Sequence, residues 1–324
     1  FVDDTKYAGL SWDAVRLDVQ VMDGLSTKLV VAKVAENDVF QMAGAKEVQN
    51  TLFWAPPGTT NNDIYSFTLF STYELSEDAL IDVYFNYIAN NDEGGALFSS
   101  YPTDAKIFTG GARVKFDKLA LFGQNFDASV EVALQAGEIN MGGDDLDIQD
   151  AFAFEAEVGW SPAMAWSPRL AIGMAWASGD DDGSDGNYNR FNSLAQDVQG
   201  RLGKADMFVL ENIRCAYVDV TCKPMDIEKL SAGVSYLKFN AFEEYDAQGI
   251  GGLPQYGFFA GGSNVNDIAD EIDFYVAYKL NDNTDVKFCW AYVEPDDQIH
   301  DNFGNSPAHR VHLTLVVDLH DRLF

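Results

Sequence analysis

IQDAFAFEAEVGW (Ile148–Trp160), SPAMAWSP (Ser161–Pro168) and RLAIGMAWAS (Arg169–Ser178) form one unit of this chain. In the first run Phe152, Phe154, Ala156, Val158 and Trp160 share a face, and Ala151, Ala153, Glu155, Glu157 and Gly159 share the other. After the Ser-Pro turn, Leu170, Ile172, Met174 and Trp176 repeat the apolar face, while Arg169, Ala171, Gly173 and Ala175 repeat the polar or small one. A period of two marks strands, and two such runs around a turn make a hairpin. A soluble sandwich alternates too, but it has no reason to put Trp and Phe at the ends of its outer face with charge opposite. A sheet with lipid on one side and water on the other requires that pattern.

The same unit recurs along the chain. Strands are predicted at Ala14–Met22, Thr27–Val34, Ile64–Glu74, Ala79–Ile88, Lys106–Phe116, Phe126–Glu138, Ile148–Trp160, Arg169–Ala177, Val209–Val220, Glu228–Phe239, Glu271–Leu280, Thr284–Val293 and His309–Leu319. Turn-like connections follow the first, third, seventh, ninth and eleventh of them: Asp23–Ser26, Leu75–Asp78, Ser161–Pro168, Thr221–Ile227 and Asn281–Asn283. Long connections rich in Gly, Asn and Asp follow the even strands: Ala35–Asp63, Ala89–Ala105, Ile139–Gln149, Ser178–Leu210, Asn240–Asp270 and Glu294–Ala308. Asp117–Asn125 is intermediate. Short turns on one rim and long loops on the other describe a transmembrane antiparallel up-and-down β-barrel of the bacterial outer membrane, an all-β fold with its short rim periplasmic. Residues 1–324 then form one barrel domain. If the last strand descends to the periplasm, Phe1 starts on the extracellular side, so an odd number of strands is expected ahead of it, for 14–18 strands in the complete protein.

Composition agrees with a barrel. Mean hydropathy is slightly negative, and no run approaches the roughly 20 apolar residues of a membrane helix. Aromatics make up 13% of the chain with nine Pro, which favours strands over disorder. Cys215, Cys222 and Cys289 have no metal-ligand spacing; free thiols are the expected state, with a Cys215–Cys222 disulfide the alternative in an oxidising periplasm. A net charge of −30 excludes nucleic acid as a partner.

The charge is unevenly placed. The six long loops hold 25 Asp and Glu against four Lys and Arg. Positions assigned inward are close to balanced: Arg16, Lys33, Arg113, Lys115, Arg169, Arg214, Lys279, Lys287 and Arg310 against Asp18, Glu74, Asp82, Asp127, Glu131, Glu155, Glu157, Asp273, Asp285 and Asp318. Charge facing a lumen is either hydrated, as in a water-filled pore, or locked in salt bridges that brace the wall. For solute contact the candidates are Arg113, Lys115, Arg169, Arg214, Lys287 and Arg310, a basic ladder expected to oppose Asp82, Glu155, Glu157 and Asp273 across the lumen.

One loop carries a motif. Ser178-Gly179-Asp180 leads into Asp181–Asn187, then Arg190-Phe191-Asn192-Ser193-Leu194, Gly203, Ala205-Asp206 and Asn212-Ile213-Arg214. This order resembles the alginate export family of outer-membrane barrels, in which a Ser-Gly-Asp strand end, an Asp/Gly loop, a Phe-x-x-Leu element, an Ala-Asp and an Asn occur in turn. Asp13-Ala14-Val15-Arg16-Leu17 resembles the family's Asp-Ala-x-Arg-Leu strand. The resemblance implies an 18-stranded monomeric channel that passes its substrate by diffusion, with about five strands absent here. An acidic mouth over a mixed-charge lumen favours neutral or cationic small hydrophilic solutes over a polyuronate.

The acidic loop invites a second reading. Asp180, Asp182, Asp185 and Asn187 offer oxygen ligands at short spacing, as Ca²⁺ prefers, and divalent ions there would bridge the rim to lipopolysaccharide; no cofactor is otherwise required. His300, His309, His312 and His320 cluster near the C-terminus, but His309 and His312 belong to opposite faces of one strand. No hydrolase or phosphate-loop pattern appears. The non-catalytic alternative to a channel is a barrel that sheathes a partner such as a cytochrome, or that displays its loops as an adhesive surface. Ala35–Asp63, with Phe40, Phe53 and Trp54, either folds inward as a plug or caps the rim. Phe324 is out of phase with Val311–Leu319, and a bulge near His320 would restore it.

Overall fold

The computed structural model describes residues 13–35, 64–90, 103–141, 144–193, 201–244, 266–296 and 306–317. The strands are β1 (Asp13–Met22), β2 (Leu25–Ala35), β3 (Ile64–Ser76), β4 (Ala79–Asn90), β5 (Thr103–Leu121), β6 (Gln124–Met141), β7 (Asp144–Ser161), β8 (Arg169–Ala177), β9 (Asn187–Tyr188), β10 (Ile213–Cys222), β11 (Leu230–Ala241), β12 (Asp267–Asn281), β13 (Thr284–Pro295) and β14 (Ala308–Val317). One sheet holds them all. Its strands follow chain order, each long strand antiparallel to the next, with β8 pairing β10 directly and the two-residue β9 lying parallel to the start of β7. This is the up-and-down all-β wall expected from the alternation, and each of the thirteen predicted strands has its counterpart.

Three boundaries differ from expectation. The intermediate link after the fifth strand is a tight hairpin, because β5 and β6 run on to Leu121 and Gln124 and turn through Phe122-Gly123, both at positive φ. That backbone matches the right-handed twist of the strands it joins. Ile139–Gln149 is not a long loop either, since β6 extends to Met141 and β7 starts at Asp144. Conversely Val209–Asn212 is not strand: β10 begins at Ile213, and the residues before it pack inside the wall. His300, His320, Asp318, Phe324 and the loop aromatics Phe40, Phe53 and Trp54 lie outside the described residues.

The two faces of the sheet have opposite chemistry. Val15, Leu17, Val19 and Val21 of β1, Val130, Val132 and Leu134 of β6, Ile172 of β8, Ile272 and Phe274 of β12, and Val311, Leu313 and Leu315 of β14 are all exposed on one side. In water so much open apolar surface would drive aggregation; against lipid it is the stable arrangement. The opposite face carries small buried residues, among them Ala133, Ala153, Ala171 and Ala175, interleaved with charge.

Glycine and tyrosine shape that inner face. Tyr84 of β4 lies across Gly111 of β5, and its hydroxyl donates to Glu131 of β6 at 2.8 Å. Tyr217 of β10 lies across Gly173 of β8 and donates to Glu157 of β7 at 2.7 Å. Tyr275 of β12 crosses Gly233 of β11 to reach Asp219 of β10 at 3.1 Å. At each glycine an added Cβ would overlap the tyrosine ring. The three brackets therefore need a residue without a side chain on the middle strand, and each ties a carboxylate two strands away.

Gly173→Val is expected to expel the Tyr217 ring and break its bond to Glu157, costing roughly 1–3 kcal/mol of overpacking strain; urea unfolding of the refolded barrel, followed by its heat-modifiable gel mobility, measures it. Ile272→Arg, which puts a charge on the lipid face, should cost about 2–4 kcal/mol in the same assay if it lies near the bilayer midplane.

Candidate functional site

Several charged side chains of the inner face pair along the wall, with carboxylates no more than two strands away. Arg113 of β5 donates to Asp82 of β4 through Nε at 2.9 Å and a terminal nitrogen at 2.5 Å, and Thr72 of β3 donates to the same carboxylate at 2.6 Å. Arg169 of β8 reaches over Gly159 to Asp127 of β6 at 2.8 Å and also binds Glu157 of β7 at 2.6 Å. Lys115 pairs with Asp117 on its own strand at 2.7 Å. Lys287 faces inward from β13 opposite Thr314 and is exposed. Asp82, Asp127 and Glu157 thus meet guanidinium groups laterally, because strands one or two places apart in the sheet are close enough for direct contact.

Two inward assignments are corrected by the register. Arg214 lies opposite the outward Trp176, between the inward Ile213 and Cys215. It stacks over Phe242 and donates to the Ala241 carbonyl at 2.8–3.0 Å. Lys33 likewise shares its parity with the exposed Val31 and sits over the ring of Tyr65. Near the ends of strands an Arg or Lys on the outer face still reaches polar surroundings, so charge alone did not reveal which way these two point.

The described residues between β8 and β10, 178–193 and 201–212, pack on the inner face. The first stretch is fixed to β6 and β7: Gln135 donates to the Asn192 carbonyl at 2.9 Å and accepts from the Asn192 amide at 2.8 Å, and the Ser178 hydroxyl accepts from the Phe152 amide at 2.9 Å. Arg190 and Glu211, both buried, pair within the segment at 3.4 Å. The second stretch, Arg201–Asn212, bonds to β12 and β14. The amides of Lys204 and Ala205 donate to Glu271 of β12 at 2.7 and 2.8 Å, and Lys204 also donates to Asp273 at 3.2 Å. Arg310 of β14 binds Asp206 at 2.8 Å and donates to the Ala205 carbonyl, while Phe208 packs on Phe239 of β11. Gly203 has φ +86 and lies flat on the Glu271 carboxylate, a position a side chain would fill. Arg201 extends the opposite way, to Glu155 of β7 at 2.6 Å and Ser129 of β6 at 3.1 Å.

Of the residues expected to line the lumen, Asp82, Arg113, Lys115, Glu155, Glu157, Arg169, Asp273, Lys287 and Arg310 are on the inner face, and the inward segment accounts for the partners of Glu155, Asp273 and Arg310. Arg201, Lys204 and Glu271 were not singled out from the sequence. The Gly-Lys-Ala-Asp tetrapeptide at Gly203–Asp206 was the available signal.

The oxygen-ligand candidates do not share one environment. Asp180 is buried at the foot of the segment, whereas Asp182 and Asp185 are exposed and fold local turns with Ser184 and Asn187. The Ser184 hydroxyl and amide, at 2.6 and 3.1 Å, hold the Asp182 carboxyl below its usual range. Among the described residues no group of three His, Cys, Asp or Glu gathers for a metal ion. The three cysteines are free; Cys215 and Cys222 occupy opposite ends of β10, roughly 23 Å apart at 3.3 Å per residue. His309 stacks outward on Trp290 and Tyr292, while His312 faces in.

A family model described as alginate export matches residues 13–312. Among solved structures, OccK10 (OpdN) of Pseudomonas aeruginosa is similar with a TM-score of 0.56 and 12% identity, covering 100% of this chain and 76% of that one. OpdO of the same organism matches at TM-score 0.51 and 16% identity, covering 94% and 68%. The outer-membrane protein OprD of Pseudomonas aeruginosa matches at 0.52 and 9%, covering 93% and 67%. No curated protein shows a significant sequence match.

Arg113→Ala would leave Asp82, whose side chain is 3% exposed against 35% for Arg113, with the Thr72 hydroxyl but no cation, and should cost about 1–3 kcal/mol, the range for a buried group that loses a hydrogen-bond partner. The Asp82→Val/Arg113→Ala double variant should recover most of it in a denaturant double-mutant cycle.

Proposed function

The chain belongs to the alginate export family of bacterial outer-membrane β-barrels, and from that premise we propose a porin-like channel that passes small hydrophilic solutes by diffusion and without chemistry. The observation that carries the proposal is the division of the sheet into an apolar outer face and an inner face of paired charges, narrowed by a segment from the barrel's own loop. A wall that only braced itself would have no need of polar groups left half-exposed. Arg113, Arg169 and Arg201 keep about a third of their side chains open to the lumen after pairing. Water and solute can therefore exchange hydrogen bonds with the wall along the path.

Solute sorting starts at the mouth. The long loops carry the chain's excess of acid, and exposed charge acts over about 10 Å at 0.1 M salt and 3 Å at 1 M. The rim should concentrate cations and neutral solutes at low salt and lose that influence at high salt. A polyuronate, the cargo that the family's name suggests, meets a repulsive rim before it meets the arginines. Exposed acids such as Asp182 and Asp185 also suit Ca²⁺, which would bridge the rim to lipopolysaccharide phosphates.

In planar bilayers the purified protein should give a stable conductance whose cation preference falls as salt rises from 0.1 to 1 M. Uronate oligomers should leave the current unchanged. A closed, non-conducting barrel would overturn the channel reading, and uronate block would restore a polyuronate cargo.

A further inference from the structure

Among the described residues six hairpin turns form the short-turn rim, and they are of two kinds. Three have polar tips: Asp23-Gly24, Glu77-Asp78 and Asp282-Asn283. The other three are neighbours in the sheet and carry apolar side chains. Phe122 between β5 and β6 is 99% exposed, and Met164 and Trp166 between β7 and β8, with Met225 and Ile227 between β10 and β11, are exposed as well. Phe122, Trp166 and Met225 all have positive φ, at 54°, 71° and 56°. Bulky residues rarely take that conformation, which Gly, Asn or Asp holds at less cost. The three turns are joined to one another: Trp160 Nε1 donates to Gln124 Oε1 at 3.3 Å, and the Lys223 amide donates to the Trp166 carbonyl at 2.7 Å.

The register places Phe126, Trp160, Leu170 and Val220 in one row across β6, β7, β8 and β10. Phe122, Trp166 and Met225 stand four or five residues from that row, and Leu119 and Leu121 carry the apolar face from Phe126 to the first tip. A turn that reverses within so few residues stays near the headgroup layer, about 5–7 Å thick on each side of the hydrocarbon. Exposed Lys118, Lys223 and Lys229 flank the tips. Of the acidic side chains described beside them, Asp117 pairs with Lys115 at 2.7 Å and Glu228 is exposed. We infer that these three turns form one phospholipid-binding foot on the short-turn rim, with the apolar tips at the boundary of headgroups and acyl chains in the inner leaflet and the three lysines on the phosphates. Two features name lipid as the occupant. The patch continues the lipid face of the sheet, and its cations complement phosphate in a chain whose net charge is −30. An aromatic belt encircles a barrel, whereas this foot occupies one arc and leaves the acidic tips outside it. A barrel closed to solutes would have the same rim, so the inference does not rest on the channel reading.

The test is tryptophan quenching in the full-length protein refolded into phosphatidylcholine vesicles, wild type against Trp166→Phe, each checked for the heat-modifiable folded form. The Trp166 contribution, read as the difference, should be quenched by lipid brominated near the headgroup end of the acyl chain and should resist aqueous iodide. Brominated phosphatidylglycerol should quench it more than the same fraction of brominated phosphatidylcholine. Lys223→Gln should lower that preference by up to roughly five-fold, the range for one cation near an anionic membrane surface. Phe122→Trp in the Trp166→Phe background puts a second probe on another turn, which keeps the inference testable if one variant fails to fold. Iodide quenching of both probes with no effect of brominated lipid would overturn it and leave the patch facing water, for a protein partner. Lipid quenching with no preference for phosphatidylglycerol would also overturn it, by making the tips an apolar contact without a headgroup site.

Discussion

A backbone that crosses hydrocarbon has to satisfy all of its own amides and carbonyls, and a sheet does so only through pairing between neighbouring strands. The rest of this molecule depends on that constraint. Continuous pairing of consecutive strands forces the pleat, and the pleat sends alternate side chains to lipid and to water. Val130, Val132 and Leu134 on β6 face out because Glu131 and Ala133 between them face in. A slip of one residue would reverse every one of them.

Within that scaffold the inner face solves a second problem, how to hold many charges at small spacing. The acids are not left to face one another across the lumen. Glu131, Glu157 and Asp219 each take a tyrosine hydroxyl brought over a glycine from two strands away, Asp82 takes a guanidinium group from the adjacent strand and Asp127 one from two strands away. Lateral pairing holds the aromatic rings and carboxylates flat on the wall, and the arginine of the Asp82 pair is much the more open partner.

The segment between β8 and β10 is the third layer. Its docking uses backbone amides against Glu271 and Asp273 and a backbone carbonyl against Arg310, with ion pairs of Asp206 to Arg310 and Arg201 to Glu155 beside them. Backbone and side-chain bonds together let a loop line a wall that is constrained by lipid on its other side.

Alternation alone located the thirteen long strands, the outward face and most of the short and long connections, because period-two patterning acts locally and survives any tertiary arrangement; the two-residue β9 and the tight β6–β7 connection escaped it. It also placed Asp82, Arg113, Glu155, Glu157 and Arg169 on the inner face. Residues near strand ends escaped it: Arg214 and Lys33 sit where the outer face is already polar, and a hydrophobic period cannot orient them. Partners escaped it as well. Arg201 lies 46 residues from Glu155 and Lys204 lies 67 from Glu271, and only the folding of one loop into the lumen brings such distant residues together. Which strand each residue of that segment meets depends on hydrogen bonds between its backbone and strands far away in the chain, and those were decided by the tertiary structure.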